Sequence, residues 1–218
     1  GSTTVTGDAE LAAGADRAKL SGIWAVNTID LLAAPTSNYL ASPWSEKPLP
    51  VQDLLELDAD VQINAQSWGL GSLRTGPAAM TLNMEAGVLN LRAAQVPVAE
   101  GTADFDVKLG ADRAAFTLAT KFNLKATKAQ ALLKGLLGFS ALDGALDATG
   151  ELNAVGVHAA GLISTLKGKL NVKAQQATLK GVDPLPVMAA AALGWSKDTT
   201  KDTALNLSLD MTLEEGVA

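Results

Sequence analysis

The sequence predicts a mainly β protein with a few short helices, built as an extended antiparallel sheet curled into an open groove or half-barrel. Three observations carry that expectation. Apolar and polar side chains alternate with a period of two over much of the chain. The helical periodicities are short. A helix-then-strand unit recurs, which suits a sheet that lengthens rather than a closed globule.

The strands are read from the alternation. Leu57, Ala59, Val61, Ile63 and Ala65 share one face, and Asp58, Asp60, Gln62 and Asn64 the other. The pattern returns at Ala78, Met80, Leu82 and Met84, then at Leu89, Leu91 and Ala93. Ala103, Phe105, Val107 and Leu109 alternate with Thr102, Asp104, Asp106 and Lys108. Asp112-Arg113 reads as a turn into a strand carrying Phe116, Leu118, Phe122 and Leu124 inward. The cleanest pattern is the last, with Leu205, Leu207, Leu209, Met211 and Leu213 against Asn206, Ser208, Asp210 and Thr212. One dry and one wet face per strand implies an antiparallel meander of roughly eight to eleven strands.

Short helices punctuate the strands. Thr127 is placed to cap one carrying Ala129, Leu132, Leu133, Leu136 and Leu137 at helical spacing, with Gly138 as its stop. A second covers Val157 to Leu166, and a third runs from Pro184 to Leu193 with Gly194 after it. The Pro43 to Pro50 stretch reads as a loop or strand edge. Leu142-Asp143-Gly144-Ala145-Leu146-Asp147-Ala148 matches Leu166-Lys167-Gly168-Lys169-Leu170-Asn171-Val172, each copy following a helix and opening a strand. Leu54 to Val61 is a weaker copy without the glycine.

Composition excludes several functions. The net charge is −6, and the Lys residues are scattered, which argues against nucleic acid and against electrostatic attachment to anionic membranes. With no Cys, disulfides, thiolate zinc sites and a cysteine nucleophile are ruled out. Aromatics are 4%, too few for stacking platforms. The hydrophobic fraction is 48%, yet the longest apolar run, Leu185 to Trp195, is about half the ~20 residues a membrane helix needs. Gly1-Ser2 are read as a cloning scar, residues 3–43 as a segment joining from upstream chain, and residues 44–218 as the β domain.

Individual motifs point away from catalysis. Asp58, Asp60, Gln62 and Asn64 have the spacing that opens a calcium loop, but Ile63 and Gly69 stand where it needs Gly and Glu. Asp104 and Asp106, roughly 7 Å apart at ~3.4 Å per residue, could suit an inverting glycosidase but look outward with no aromatic cluster. His158, the single histidine, has no partner ligand and reads as a helix cap or surface residue. No catalytic, cofactor or metal residue is expected. The candidate site is instead the set of inward residues Phe105, Val107, Leu109, Phe116, Leu118, Phe122, Leu124, Leu205, Leu207, Leu209 and Met211, which read either as an ordinary core covered by the three helices or as the lining of an apolar groove left partly open. Leu, Val and Ala make a smooth wall suited to acyl chains, which need no directional partners.

The chain also resembles AsmA-family proteins. Leu142 to Gly144 with its strand, the short helix with Leu166 to Gly168, and Ala177-Thr178-Leu179-Lys180-Gly181-Val182-Asp183 are similar to that family's C-terminal region. So are Trp44-Ser45-Glu46-Lys47-Pro48-Leu49 and the following Leu57-Asp58-Ala59-Asp60-Val61. The likeness covers roughly residues 40 to 213, and departs at Val98 to Thr102, where relatives carry an aromatic and two glycines. The resemblance implies a non-enzymatic envelope-biogenesis protein of Gram-negative cells, tethered to the inner membrane by a segment absent here and lying in the periplasm. It implies binding or conduction of lipid along an apolar β groove between the two membranes. The alternative is a scaffold for envelope proteins that influences outer-membrane protein assembly through exposed strand edges.

Overall fold

The computed structural model describes residues 3–13, 17–32, 56–70, 73–111, 115–137, 140–179 and 203–214. They form one mixed sheet of 11 strands, curled and not closed into a barrel. In chain order the strands are β1 (Val5–Ala13), β2 (Ala18–Leu32), β3 (Leu57–Leu70), β4 (Leu73–Arg74), β5 (Ala78–Glu85), β6 (Val88–Val98), β7 (Gly101–Ala111), β8 (Phe116–Lys128), β9 (Leu142–Gly156), β10 (Lys167–Leu179) and β11 (Thr203–Leu213). Two helices interrupt them, α1 (Ala129–Leu137) and α2 (Ala159–Ser164). Spatial order follows chain order, except that the short β4 pairs only with β3 while β5 takes the place beside it.

Every pairing is antiparallel but one. β2 and β3 run parallel, from Ala18 opposite Leu57 onward, which corrects the expectation of an antiparallel meander at that point. Parallel neighbours need a connection of about a dozen or more residues, and residues 33–56 supply it. β1 and β2 also extend the sheet into the stretch read as a joining segment. The Pro43 to Pro50 loop, the Asp112-Arg113 turn, Gly138, the Pro184 to Leu193 helix and Lys180 to Asp183 lie outside the described residues.

Register carries the alternation across the sheet. One row runs Trp24, Ile63, Met80, Ala93, Phe105, Phe122, Gly150, Leu170 and Met211, from β2 to β11. The neighbouring row holds Val96, Ala103, Leu124, Ala148, Val172 and Leu209. Both lie on the concave face. On the convex face the row Arg92, Asp106, Lys121, Glu151 and Lys169 alternates in charge. Arg92 pairs with Asp106 at 2.9 Å and Lys121 with Glu151 at 2.8 Å. The Glu151 partner holds the Lys121 ammonium above its ordinary pKa, and Lys121 holds the Glu151 carboxyl below its own.

Besides a shift between Asp30 and Leu32 in the β2–β3 pairing, three bulges with a left-handed residue bend the sheet. Register shifts by one residue between Ala93 and Val96, between Leu124 and Thr127, and between Ala174 and Ala177. The extra residue is left-handed each time: Gln95 at φ 53°, Ala126 at 51° and Gln176 at 51°. Each N–H thereby freed donates to a side chain on the next strand. Gln95 donates to Asp104 at 2.9 Å, Ala126 to Asp147 at 2.8 Å and Gln176 to Asn206 at 3.0 Å. An inward residue is thus followed by another three positions on, and the apolar face continues through the bend. The tight turns between β5 and β6 (Ala86, Gly87) and between β6 and β7 (Ala99, Glu100) also place both residues at positive φ, as two-residue hairpins require. The β6–β7 hairpin therefore pairs regularly at Val98 and Gly101.

The helices take the places the sequence indicated. Thr127 does not cap α1; the bulge at Ala126 turns it inward, where it is wholly buried and its hydroxyl donates to the Leu146 carbonyl at 2.8 Å. His158 caps α2, its Nδ1 accepting from the Gly161 N–H at 2.8 Å. The two repeat copies each follow a helix and open a strand, Leu142 after α1 and Leu166 after α2.

Two outcomes test the bulges. Ala126→Gly should stabilise the fold by roughly 0.5–1 kcal/mol, because a left-handed Ala is strained by about 1–2 kcal/mol and Gly is not. Ala119→Gly, in the regular part of β8, should cost about 0.5–1 kcal/mol in the same urea titrations. The second concerns Asp104, whose pKa lies below the usual carboxylate range, chiefly through the Gln95 N–H, with partial burial opposing. Its contribution is complete above the unfolded-state pKa of about 4 and is lost as pH falls below that toward the lowered folded value. Asp104→Ala should cost about 1 kcal/mol at pH 7 and flatten the acid limb of the stability curve. Asp106→Ala, which removes only an exposed ion pair, should stay within about 0.5 kcal/mol.

Candidate functional site

The concave face is a trough with one roofed end. The roof is α1, which follows β8 directly and packs on β9, on β4 and on the bulged end of β8. Its Ala129 and Leu132 are buried, while Lys134 points to solvent. Leu73 of β4 meets the helix from the β3 side. A Cβ built on Gly135 would lie 2.8 Å from the Leu73 Cβ, so glycine permits this approach.

Between roof and sheet lies a cavity of about 280 Å³, near the lower end of the ~300–1,000 Å³ typical of small-molecule sites. The sheet contributes Met80, Ala93, Val96, Val98, Phe105, Phe122 and Leu124, and Trp68, Leu73 and Leu132 complete the wall. The polar groups nearby are already engaged. The Trp68 indole N–H donates to the Ala78 carbonyl at 3.4 Å. The Thr75 hydroxyl accepts from the Trp68 backbone N–H and donates to the Gly76 carbonyl, both at 3.1 Å. Among the described residues, no buried side-chain polar atom lacks a partner.

The residues expected to line a groove divide into three sets. Phe105, Phe122 and Leu124 meet in the cavity. Val107, Leu109, Phe116 and Leu118 lie on the same face further along β7 and β8, with Phe116 buried and the others half-buried. Leu207, Leu209 and Met211 stand on the edge strand β11; Leu207 is 38% and Leu209 40% exposed. Leu205 pairs through its backbone with Ala177, and its side chain lies outside the described residues. The sequence reading missed Trp68, Leu73, Val96 and Val98 as wall residues. Val96 and Val98 follow a bulge that resets the count by one, and the signal was a jump of three between inward residues, Ala93 to Val96.

The polar candidates serve the fold. Asp104 accepts from Gln95, and from Asn123 at 3.3 Å, while Asp106 is paired with Arg92. Both lie on the convex face, away from the cavity. Asp58 accepts from the N–H of Ala86 at 3.0 Å, holding the left-handed start of the β5–β6 turn. Among the described residues, no cluster of three or more His, Asp or Glu could hold a metal.

These features define an open, one-faced β trough closed at one end by an apolar pocket. Residues 34–218 match the AsmA family, and the chain belongs to it. No curated protein and no solved structure matches the sequence. Family membership is consistent with a role in the cell envelope. Among the described residues, no helix is long and apolar enough to cross a membrane.

Openness of the trough toward β11 can be measured. Leu207→Asp should cost less than about 1.5 kcal/mol, because the carboxylate can reach water. Leu146→Asp, at a position 4% exposed, should exceed about 3 kcal/mol or prevent folding. Ser208→Asp should change stability by only about 0.5 kcal/mol either way. Equal costs at Leu207 and Leu146 in denaturant titrations would mean that the β11 side of the trough is closed.

Proposed function

We propose that this chain is a non-enzymatic lipid-handling module of the cell envelope, working in the periplasm of an inner-membrane-tethered protein and holding acyl chains along its concave face. One observation carries the reading: an apolar cavity under α1 that opens onto a trough lined with apolar side chains as far as the sheet edge. A wall without free polar groups offers nothing to polarise a bond or move a proton, and an enzyme site needs such groups to converge. It offers instead a dry surface on which hydrocarbon is favoured over water by about 25 cal/mol per Å² buried. Length helps as well, since the longer apolar row runs from β2 to β11, so a chain can move along the trough without meeting a charge.

The test is native mass spectrometry of gently purified protein, alongside Ala93→Phe and Ala94→Phe. Ala93 lines the cavity, whereas Ala94 is exposed outside it. Wild type should carry phospholipid. Ala93→Phe should lose most of it with an unchanged or raised Tm, because it fills a void, and Ala94→Phe should retain it. Wild type free of lipid, or equal lipid on both variants, would refute the proposal.

A further inference from the structure

The described sheet ends on two edges, β1 and β11. Edge strands ordinarily resist further pairing through Lys, Pro or bulges. β11 is eleven residues long and contains no Lys, Pro or Gly.

We infer that β11 is a self-association edge: it pairs antiparallel with β11 of a second copy about a twofold axis through Ser208, normal to the sheet, joining two troughs into one. An axis in that direction leaves both apolar faces on the same side. A register shifted by one residue would set the apolar face of one copy against the polar face of the other. Centred on Ser208, the pairing uses the whole strand. Leu207 then stands opposite Leu209 of the second copy, and both leave large apolar surface exposed. Asn206 stands opposite Asp210.

The hydrogen-bond inventory fits that last pairing. The Asn206 Oδ1 is taken by the Gln176 N–H at 3.0 Å. Its amide N–H groups therefore point away from the bulge, and no acceptor for them is found among the described residues. The Asp210 Oδ1 accepts from the Asn171 amide, leaving Oδ2 able to accept another bond. A spare donor and a spare acceptor thus face each other twice across the axis, and the bond to a carboxylate is the stronger kind. The other edge lacks this complementarity. Aligning all nine residues of β1 on a second β1 would set Asp8 against Glu10 twice, and like charges directly opposed are destabilising.

Sedimentation analysis of the whole chain tests the inference independently of lipid, because Ser208 lies on the polar face. Wild type should dimerise as concentration rises. Ser208→Lys, which opposes two ammonium groups at the axis, should weaken the dimer by at least about tenfold while leaving the Tm of the dilute, monomeric protein unchanged. Asp8→Lys on the far edge should leave it intact. The chain contains no cysteine, so Ser208→Cys can be joined by a short thiol crosslinker, and it should yield dimer where Asp8→Cys does not. A wild type that stays monomeric overturns the proposal. So does a dimer that resists Ser208→Lys, or one that responds to Asp8→Lys instead, and so do head-to-tail filaments, which require both edges.

Discussion

The fold depends on a hydrogen bond that repeats three times, from the N–H of a left-handed bulge residue to an Asp or Asn on the next strand. A long sheet with one dry face must curl if that face is to be even partly sheltered, and curling a regular ladder strains it. A bulge supplies the bend but leaves one residue at positive φ and one N–H out of the ladder. Non-glycine residues there cost about 1–3 kcal/mol each, and an unmet N–H would add to that. Asp104, Asp147 and Asn206 meet the freed N–H groups. The bends therefore fall at fixed places near the C-terminal ends of β6, β8 and β10, which lie at the same end of the sheet.

Because the bulges align, that end curls most, and there a helix can bridge the trough. α1 closes it with small residues at the contacts: Ala129 is wholly buried, and Gly135 lets Leu73 approach. Opposite, Gly150 sits under Phe122, where a Cβ would lie 2.4 Å from the ring. That ring can therefore lie flat along the sheet and form part of the cavity wall. Gly144 solves a related problem: at φ 122° it passes beside the bulge on β10, where its Cβ would lie 2.8 Å from the Ala177 Cα. The Leu-x-Gly opening of β9 is thus tied to the bulge on its neighbour.

Much of this was legible. Alternation at Leu57 to Ala65, Ala103 to Leu109 and Leu205 to Leu213 located strands and their faces, since period two has no other common cause. The repeat at Leu142 and Leu166 marked where helices feed strands. Three things were not legible, each for a physical reason. β1 and β2 alternate weakly, because their inward positions include Gly7, Ala9 and Gly22 while Ile23, on the outward side, is 58% exposed. The parallel pairing of β2 with β3 depends on a distant connection, which local pattern does not encode. Thr127 looked like a cap because Ser and Thr favour helix starts, but the bulge before it decided its direction. The cavity wall was half seen. Phe105, Phe122 and Leu124 keep the alternation, whereas Val96 and Val98 lie past a bulge and Leu132 arrives on a helix.

The convex face explains why the trough can stay open without the protein losing its register. A sheet with one uncovered apolar face could lower its free energy by slipping one residue or by folding that face against another. The row Arg92, Asp106, Lys121, Glu151, Lys169 opposes slippage: moving any strand by one residue would drive a charge into the apolar face. Each pair alone is exposed and contributes little. Their value lies in the cost of the alternative, which is a buried unpaired charge. Charges thus hold the apolar rows in line from outside, bulges hold the curvature, and α1 roofs one end. The remaining apolar surface, toward Leu207 and Leu209, is left facing water by the same constraints.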